Sequence, residues 1–335
     1  MIMSWNTTNA CNLKCPHCYR DAGKPAPDEL TTTQAKTLIE QIKEAGFKIM
    51  VFSGGEPLLR DDIFELVEHA SDIGLKPVFG TNGMLLTRDV VQKLLDAGAT
   101  AMGISLDSTD AEKHDNFRGI PGAFNLTMDG MKNCREMGLR FQIHTTVMDW
   151  NYDEIEKITD LAVEIGASAH HVFFLVPTGR AAHLASGIMN AKKYEQLLER
   201  LMDKQKEISI ELKPTCAPQF MRIAKQKGMN MRFTRGCIAG IAYCIISPIG
   251  NVQPCAYLDM KVGNVKETSF VEIWQNSPVF KELRTMEYRG SCGICDYKAI
   301  CGGCRARSAY YHKGDYMASE SWCTYRPTAI TAKDS

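Results

Sequence analysis

The sequence has no excess of either charge, no long apolar run, and no acidic residue between Lys213 and Leu258. Lys and Arg together number 39, as do Asp and Glu. The chain therefore lacks the overall basic field that draws proteins to nucleic acid. Its most apolar stretch, Ile238 to Ile246, is broken by Gly240 and Cys244. That is far short of the roughly 20 residues a membrane helix needs. The opening Met1-Ile2-Met3-Ser4-Trp5-Asn6 has no basic segment leading into an apolar one, the mark of a secretory signal. These absences set the expectation of a cytoplasmic protein with no nucleic-acid and no membrane partner. A hydrophobic fraction of 44% and a charged fraction of 23% exclude the disordered classes.

What the chain has in quantity is cysteine, 13 in 335 residues. Disulfides do not persist in a reducing compartment, so clustered cysteines there are metal ligands or redox groups. Cys11, Cys15 and Cys18 form one group, Cys134 and Cys216 stand alone, and the rest fall between Cys237 and Cys323. The chain divides accordingly into residues 1–212 and 213–335. In the first part, strand-like runs at 2–8, 48–53, 77–80, 101–106, 141–147 and 171–176 alternate with helix-like stretches at 32–45, 61–73, 88–97, 124–137 and 153–165. Gly46, Gly74, Gly98, Gly138 and Gly166 sit where those helices should stop. The alternation predicts parallel βαβ units, in a sheet that is flat or curved into a partial barrel. Ligands sit at the C-terminal ends of the strands in either case. A further helix at 191–206 leads to the second part, whose Gly, Cys and Pro content is typical of small regions held by metal.

The spacing Cys11-x3-Cys15-x2-Cys18, followed by Tyr19, comes directly after the first strand. Three thiolates are one short of a tetrahedral zinc site. They can hold three irons of a 4Fe–4S cube and leave the fourth open; a structural zinc knot is the alternative. Gly54-Gly55-Glu56-Pro57 ends the second strand, Thr81-Asn82-Gly83 the third and Ser105-Leu106-Asp107 the fourth, and Arg118 follows in Phe117-Arg118-Gly119. Singly, each reads equally well as a turn or a cap. Together, at C-terminal strand ends, they read as one ligand site.

This pattern resembles the radical S-adenosylmethionine (radical SAM) superfamily. The resemblance implies an α/β fold with a partial (β/α)6 TIM-like barrel over about the first 210 residues. It implies that Cys11, Cys15 and Cys18 carry the radical-generating cluster, whose open iron is chelated by SAM. The SAM site would then comprise Tyr19, Gly54, Gly55, Glu56, Pro57, Asn82, Ser105, Asp107 and Arg118. Glu56 would accept from the SAM amino group, Arg118 would pair with its carboxylate, and Ser105 and Asp107 would bond the ribose hydroxyls or the amine. Cleavage of SAM then yields a 5′-deoxyadenosyl radical that takes hydrogen from an unactivated carbon.

Cys237-x6-Cys244-x10-Cys255, with four residues between Gly250 and Cys255, is followed by Cys292-x2-Cys295-x5-Cys301-x2-Cys304 and then Cys323. The spacing resembles the cysteine-rich SPASM domain that extends many radical SAM enzymes, except that its last interval is usually three. The resemblance implies two auxiliary 4Fe–4S clusters, one on Cys237, Cys244, Cys255 and Cys304, the other on Cys292, Cys295, Cys301 and Cys323. That makes three clusters in all; a pair of zinc sites is the alternative reading of the spacing. Cys134, beside Met131 and Met137, reads as a core thiol. Cys216 is either packed or turned toward a substrate cavity.

The acid-free segment carries Lys213, Arg222, Lys225, Lys227, Arg232 and Arg235. It either offsets thiolate charge or receives an anionic substrate through Arg222, Arg232 and Arg235, with Arg180 joining from the barrel. His144, His170 and His171 are further polar candidates there. Running stretches such as residues 144–151, 170–180 and 213–220 resemble the tetrapyrrole-modifying branch of the superfamily, the AhbD-type haem synthases and NirJ-type haem d1 proteins. The resemblance implies oxidative decarboxylation of two propionates of iron-coproporphyrin III to vinyl groups, giving haem b. The alternatives are a NirJ-type side-chain modification and a SPASM peptide maturase. A non-enzymatic electron carrier is disfavoured, because a carrier needs no open iron. The implied partners are an anionic tetrapyrrole and an external electron donor and acceptor of flavodoxin or ferredoxin type.

Overall fold

The structure, a computed structural model, describes residues 1–187 and 189–331; residues 332–335 of the second part lie outside them. Seven strands run parallel: β1 (Ile2–Asn6), β2 (Ile49–Ser53), β3 (Lys76–Thr81), β4 (Ala101–Ser105), β5 (Phe141–Val147), β6 (Ala169–Phe174) and β7 (Glu211–Thr215). The crossovers carry α1 (Thr32–Glu44), α2 (Ile63–Asp72), α3 (Arg88–Asp96), α4 (Ala111–Arg118), α5 (Ala123–Met137), α6 (Ile155–Glu164) and α7 (Ala191–Gln205). The sequence supplies their caps. Thr31 accepts from the Gln34 amide while the Gln34 side chain bonds back, and Thr87, Asp110 and Asn190 cap α3, α4 and α7.

One face of the sheet is apolar and covered by these helices. Met3, Trp5, Met50, Phe52, Phe79, Met102, Ile104, Ile143, Val172 and Phe174 are buried there with Leu38, Leu66, Leu94, Ile158 and Leu198 of the helices. Each large side chain so buried stabilises the fold by about 1.5–3 kcal/mol. Alternate residues face the inner side. The register sets Ser105, His144, His171 and Lys213 side by side across β4 to β7 on that inner face.

The second part continues the same sheet. β8 (Tyr243–Ile246) lies parallel to β1, and β9 (Asn251–Gln253) and β10 (Gly263–Asn264) turn back antiparallel. The order is β10-β9-β8-β1-β2-β3-β4-β5-β6-β7. The two ends do not pair, so the barrel is partial and open between β7 and the β8 flank. Around this edge lie α8 (Phe220–Gln226), α9 (Phe270–Asn276), α10 (Pro278–Thr285) and a short helix at Arg305–Tyr311.

Three elements escape the sequence pattern. β7 reads Glu-Leu-Lys-Pro-Thr, with polar residues inward and a proline that an edge strand tolerates. β8 lies inside the acid-free apolar stretch, where nothing marks a strand from a loop. α4 is mostly polar and buries only His114 and Arg118. Among the described residues no helix is long and apolar enough to cross a membrane.

Candidate active site and cysteine clusters

Cys11, Cys15 and Cys18 occupy the loop after β1, and backbone contacts hold that loop on both sides. The Cys11 amide donates to Gly23 O at 2.9 Å, the Gly55 amide to Thr8 O at 2.8 Å and the Glu56 amide to Ala10 O at 2.8 Å. Only glycine fits at Gly55, where a Cβ would stand 2.1 Å from Ala10 O. Arg180 staples the far side, donating to Cys15 O at 3.1 Å and Ala22 O at 2.7 Å. Its guanidinium is thus engaged by the loop itself, which is a different task from receiving substrate.

Hydrogen-bond donors point at two of the three sulfurs. Burial pushes Cys11 up to about 11, with Glu56, Cys15 and Cys18 adding to the rise. The Leu13 amide points at Cys11 Sγ from 3.4 Å, and Arg118 Nη1 at Cys15 Sγ from 3.8 Å. Such N–H···S bonds stabilise metal-bound thiolate and tune a cluster. The donor set therefore fits an iron–sulfur cluster.

The other expected SAM residues gather around this loop. Glu56 is fully buried and accepts from Thr81 Oγ1 at 2.8 Å, the Asn82 amide at 2.9 Å and the Leu58 amide at 3.3 Å. Burial raises it to about 7 against those bonds. Pro57 opens the short turn that follows. Asn82 reaches Asn12 Oδ1 at 2.7 Å, tying strand β3 to the cysteine loop. Asp107 and Arg118 form a buried ion pair at 2.5 Å, and Asp107 also accepts from the Thr146 amide at 2.9 Å. His17 is stacked on Phe117 at 4.1 Å. Tyr19 donates to Asn6 Oδ1 at 2.8 Å, and its ring lies 5.5 Å from that of Tyr257 in the second part.

Cys292, Cys295, Cys301 and Cys323 line one cavity, with Arg222, Tyr297, Glu320 and Tyr325. Backbone amides again point at sulfur: Glu320 at Cys292 from 3.3 Å, Tyr297 at Cys295 from 3.4 Å and Gly303 at Cys301 from 3.4 Å. The Arg305 guanidinium adds a bond to Cys292 at 3.7 Å. Four thiols around one such cavity fit a fully ligated cluster.

The remaining cysteines separate differently from the sequence expectation. Cys244 points to the helix-covered face of β8, opposite Met3 in register, with its Sγ 3.8 Å from Met3 Sδ. It is fully buried in the main core, and the structure does not bring it to Cys237, Cys255 and Cys304. Cys216 does lie beside them: Arg307, on the helix that Cys304 caps, donates to Cys216 O at 3.0 Å. Cys134 is fully buried on α5 in the core.

The arginines of the acid-free segment are largely spoken for. Arg222 is buried against the second cysteine cavity, ion-paired with Glu195 and bonded to Gln226 at 2.9 Å. Arg235 holds Cys237 O at 2.9 Å and Tyr288 Oη at 2.7 Å. Arg232 is exposed and 3.6 Å from Glu211. The expectation that Arg222 and Arg235 receive substrate is corrected: Arg222 is held by Glu195 and Gln226 beside the second cysteine cavity and Arg235 braces the Cys237 loop, while Arg232 stays exposed. What faces the inner side instead is the row Ser105, His144, His171 and Lys213. The two imidazoles are stacked at 5.3 Å, His171 bonds Glu211 at 3.2 Å, and Lys213 Nζ lies over Phe233 at 4.1 Å. Burial, with the neighbouring imidazoles and Lys213, holds His144 well below its usual value, so it is neutral. His170 points the other way, to Thr159 and Thr145 at 2.9 Å. Lys213 was visible in the sequence only as one of six cations; its strand period identifies it.

Residues 5–162 match the Radical SAM superfamily, and residues 237–305 match SPASM, described as an iron-sulfur cluster-binding domain. The chain is 45% identical over 340 residues to the AdoMet-dependent heme synthase of Methanosarcina barkeri, covering 97% of each. It is 44% identical over 344 residues to the AdoMet-dependent heme synthase of Nitratidesulfovibrio vulgaris, covering 98% of this chain and 94% of that one. In fold it is similar to SuiB of Streptococcus suis bound to S-adenosylmethionine, with a TM-score of 0.74 at 20% identity over 97% of this chain and 77% of SuiB.

Proposed function

The chain belongs to the radical SAM superfamily, in the SPASM-bearing branch that includes the AdoMet-dependent heme synthases, and from that premise we propose that it oxidatively decarboxylates two propionates of iron-coproporphyrin III to vinyl groups, giving haem b. It is an enzyme acting on a tetrapyrrole, with SAM and iron–sulfur clusters as cofactors. The observation that carries the reading is identity near 45% sustained over almost the whole of both chains, the cysteine-rich part included.

The proposal assigns Cys11, Cys15 and Cys18 to the radical cluster and Cys292, Cys295, Cys301 and Cys323 to an auxiliary one, with a third cluster nearby. When bound, SAM and the reduced radical cluster supply the 5′-deoxyadenosyl radical that takes a hydrogen atom from the propionate β-carbon. The side chain then loses CO2 to form its vinyl double bond and gives up one electron. Arg118 and Asp107 fix the cysteine loop from below. The inner row presents Lys213, His144 and His171, groups that bond carboxylates. Electrons enter and leave through flavodoxin- or ferredoxin-type partners. The cytoplasm is the compartment that keeps such thiols reduced.

Anaerobic incubation with SAM, a reductant and iron-coproporphyrin III, followed by mass spectrometry of the pigments, tests this. The expected products are a monovinyl intermediate and haem b, with one 5′-deoxyadenosine per vinyl group. Unaltered pigment alongside continuing SAM cleavage would show that the substrate is another molecule.

A further inference from the structure

We propose that Cys216, and not Cys244, completes the thiolate set of the first auxiliary cluster with Cys237, Cys255 and Cys304, and that this cluster bridges the open side of the barrel. The inference rests on the iron–sulfur reading of the second part.

Successive residues of β8 face opposite sides of the sheet. Tyr243, opposite Ile2 in register, faces inward. Cys244 therefore faces outward, beside Met3 and under the helices, with Arg284 the one charge that bears on it among the described residues. A thiol on that face cannot reach a cluster on the other without breaking the strand.

Cys216 stands directly after β7, and three contacts carry the other thiols to it. Gly236 lies so close to Pro218 that a Cβ there would be 2.6 Å from the proline ring, which brings Cys237 to the Cys216 turn. Arg307, on the helix that Cys304 caps, donates to Cys216 O at 3.0 Å. Cys255 is bridged to Leu258, which is buried in one apolar cluster with Cys304. Cys216 itself has φ +58°, a left-handed conformation that a cysteine adopts only when the surroundings impose it. These contacts join the end of β7 to segments on either side of β8 and β9. That is the gap across which the sheet makes no hydrogen bonds, so a cluster held there closes the barrel where the backbone does not.

The test compares anaerobically reconstituted full-length Cys216→Ala, Cys216→Ser and Cys244→Ala with the parent protein. The readouts are iron, acid-labile sulfide and the electron paramagnetic resonance of the reduced clusters. With about twelve irons in three cubes, Cys216→Ala is expected to lose about a third of the iron or to shift one cluster's signal. Cys216→Ser is expected to shift that same signal, and it decides the matter if the alanine variant fails to fold. Cys244→Ala is expected to keep the parent's iron and spectrum. Full iron with an unshifted spectrum in both Cys216 variants overturns the proposal, as does loss of a cluster signal in a folded Cys244→Ala. A parent protein that binds zinc in place of auxiliary iron overturns the iron–sulfur reading itself, and is told apart by metal analysis before any variant is made. None of these readouts depends on which tetrapyrrole is the substrate.

Discussion

Arg118 meets two demands at once: it neutralises the fully buried Asp107 at 2.5 Å and donates to Cys15 Sγ at 3.8 Å. Burial works against ionisation of Asp107, but Arg118, with His17 and His114, holds its carboxyl below the ordinary range. A folded value below the unfolded one stabilises the protein above the carboxylate range and ceases to do so as pH falls through it. Removing one partner of such a pair leaves a buried charge unmatched and costs about 3–5 kcal/mol. Arg118→Leu should therefore lower the denaturation midpoint of the anaerobic holoprotein, and adding Asp107→Asn should restore part of the loss. An additive double variant would mean that the pair is not coupled. Glu56 offers a pH test. Burial raises it to about 7, and a carboxylate accepts more strongly from the amino group of SAM when it is ionised. SAM affinity should then climb as pH rises toward about 7 and level off above it, and Glu56→Gln should flatten that slope in equilibrium dialysis. At this scale the sequence was informative about kinds of residue and less so about partners. The cysteine loop and the glycine pair were legible. That Arg180 and Arg235 brace loops and Arg222 pairs with Glu195 of α7 was not, because a cation's partner lies in another element and leaves no local trace.

The cysteine loop is positioned by a second element that reads in the sequence as a turn. Gly54 and Gly55 end β2 and receive the chain between Thr8 and Ala10 edge-on, and Cβ atoms would stand 2.5 Å from Thr8 O and 2.1 Å from Ala10 O. Gly55→Ala must push the loop away, at a cost of about 1–3 kcal/mol by analogy with overpacking. The expected result is selective: about a third less iron after reconstitution and weakened SAM cleavage, with far-ultraviolet circular dichroism unchanged. Full iron in that variant would show that the loop relaxes without losing its grip. The six strands between the helices were legible because parallel strands covered by helices carry apolar residues that stand out from the text. β7 and β8 were not, since their period-2 pattern mixes Lys213, Glu211 and Tyr243 with a proline and a cysteine. The same blindness explains Cys244. Its spacing fits a ligand set, but which side of a strand a thiol faces is decided by the register with β1, and spacing does not carry register.

Across the whole molecule, the cysteines of the two parts are arranged around one continuous sheet. The loop after β1 belongs to the barrel, the cavity of Cys292, Cys295, Cys301 and Cys323 to the second part, and the aromatic contact between Tyr19 and Tyr257 joins them at 5.5 Å. In oxidative decarboxylation the hydrogen atom and the final electron leave the same side chain, but they need not leave by the same route. The radical cluster has just given up its electron to SAM, so the electron left after CO2 departs suits a separate acceptor. A cluster with four thiolates and no open iron is fitted to that task and not to chelating substrate. Cys292→Ala with Cys295→Ala removes half of one such set while leaving the barrel's loop untouched. The double variant should lose about a third of its iron and still form 5′-deoxyadenosine. Its vinyl product should fall to background, because the one-electron oxidation has no exit and the substrate radical returns its hydrogen or decays. Chromatography of nucleosides and pigments from the same anaerobic reaction separates the two steps. Vinyl product at the parent's rate from a folded double variant would mean that electrons leave by another path, and that the second part serves to bind and shape the substrate space instead.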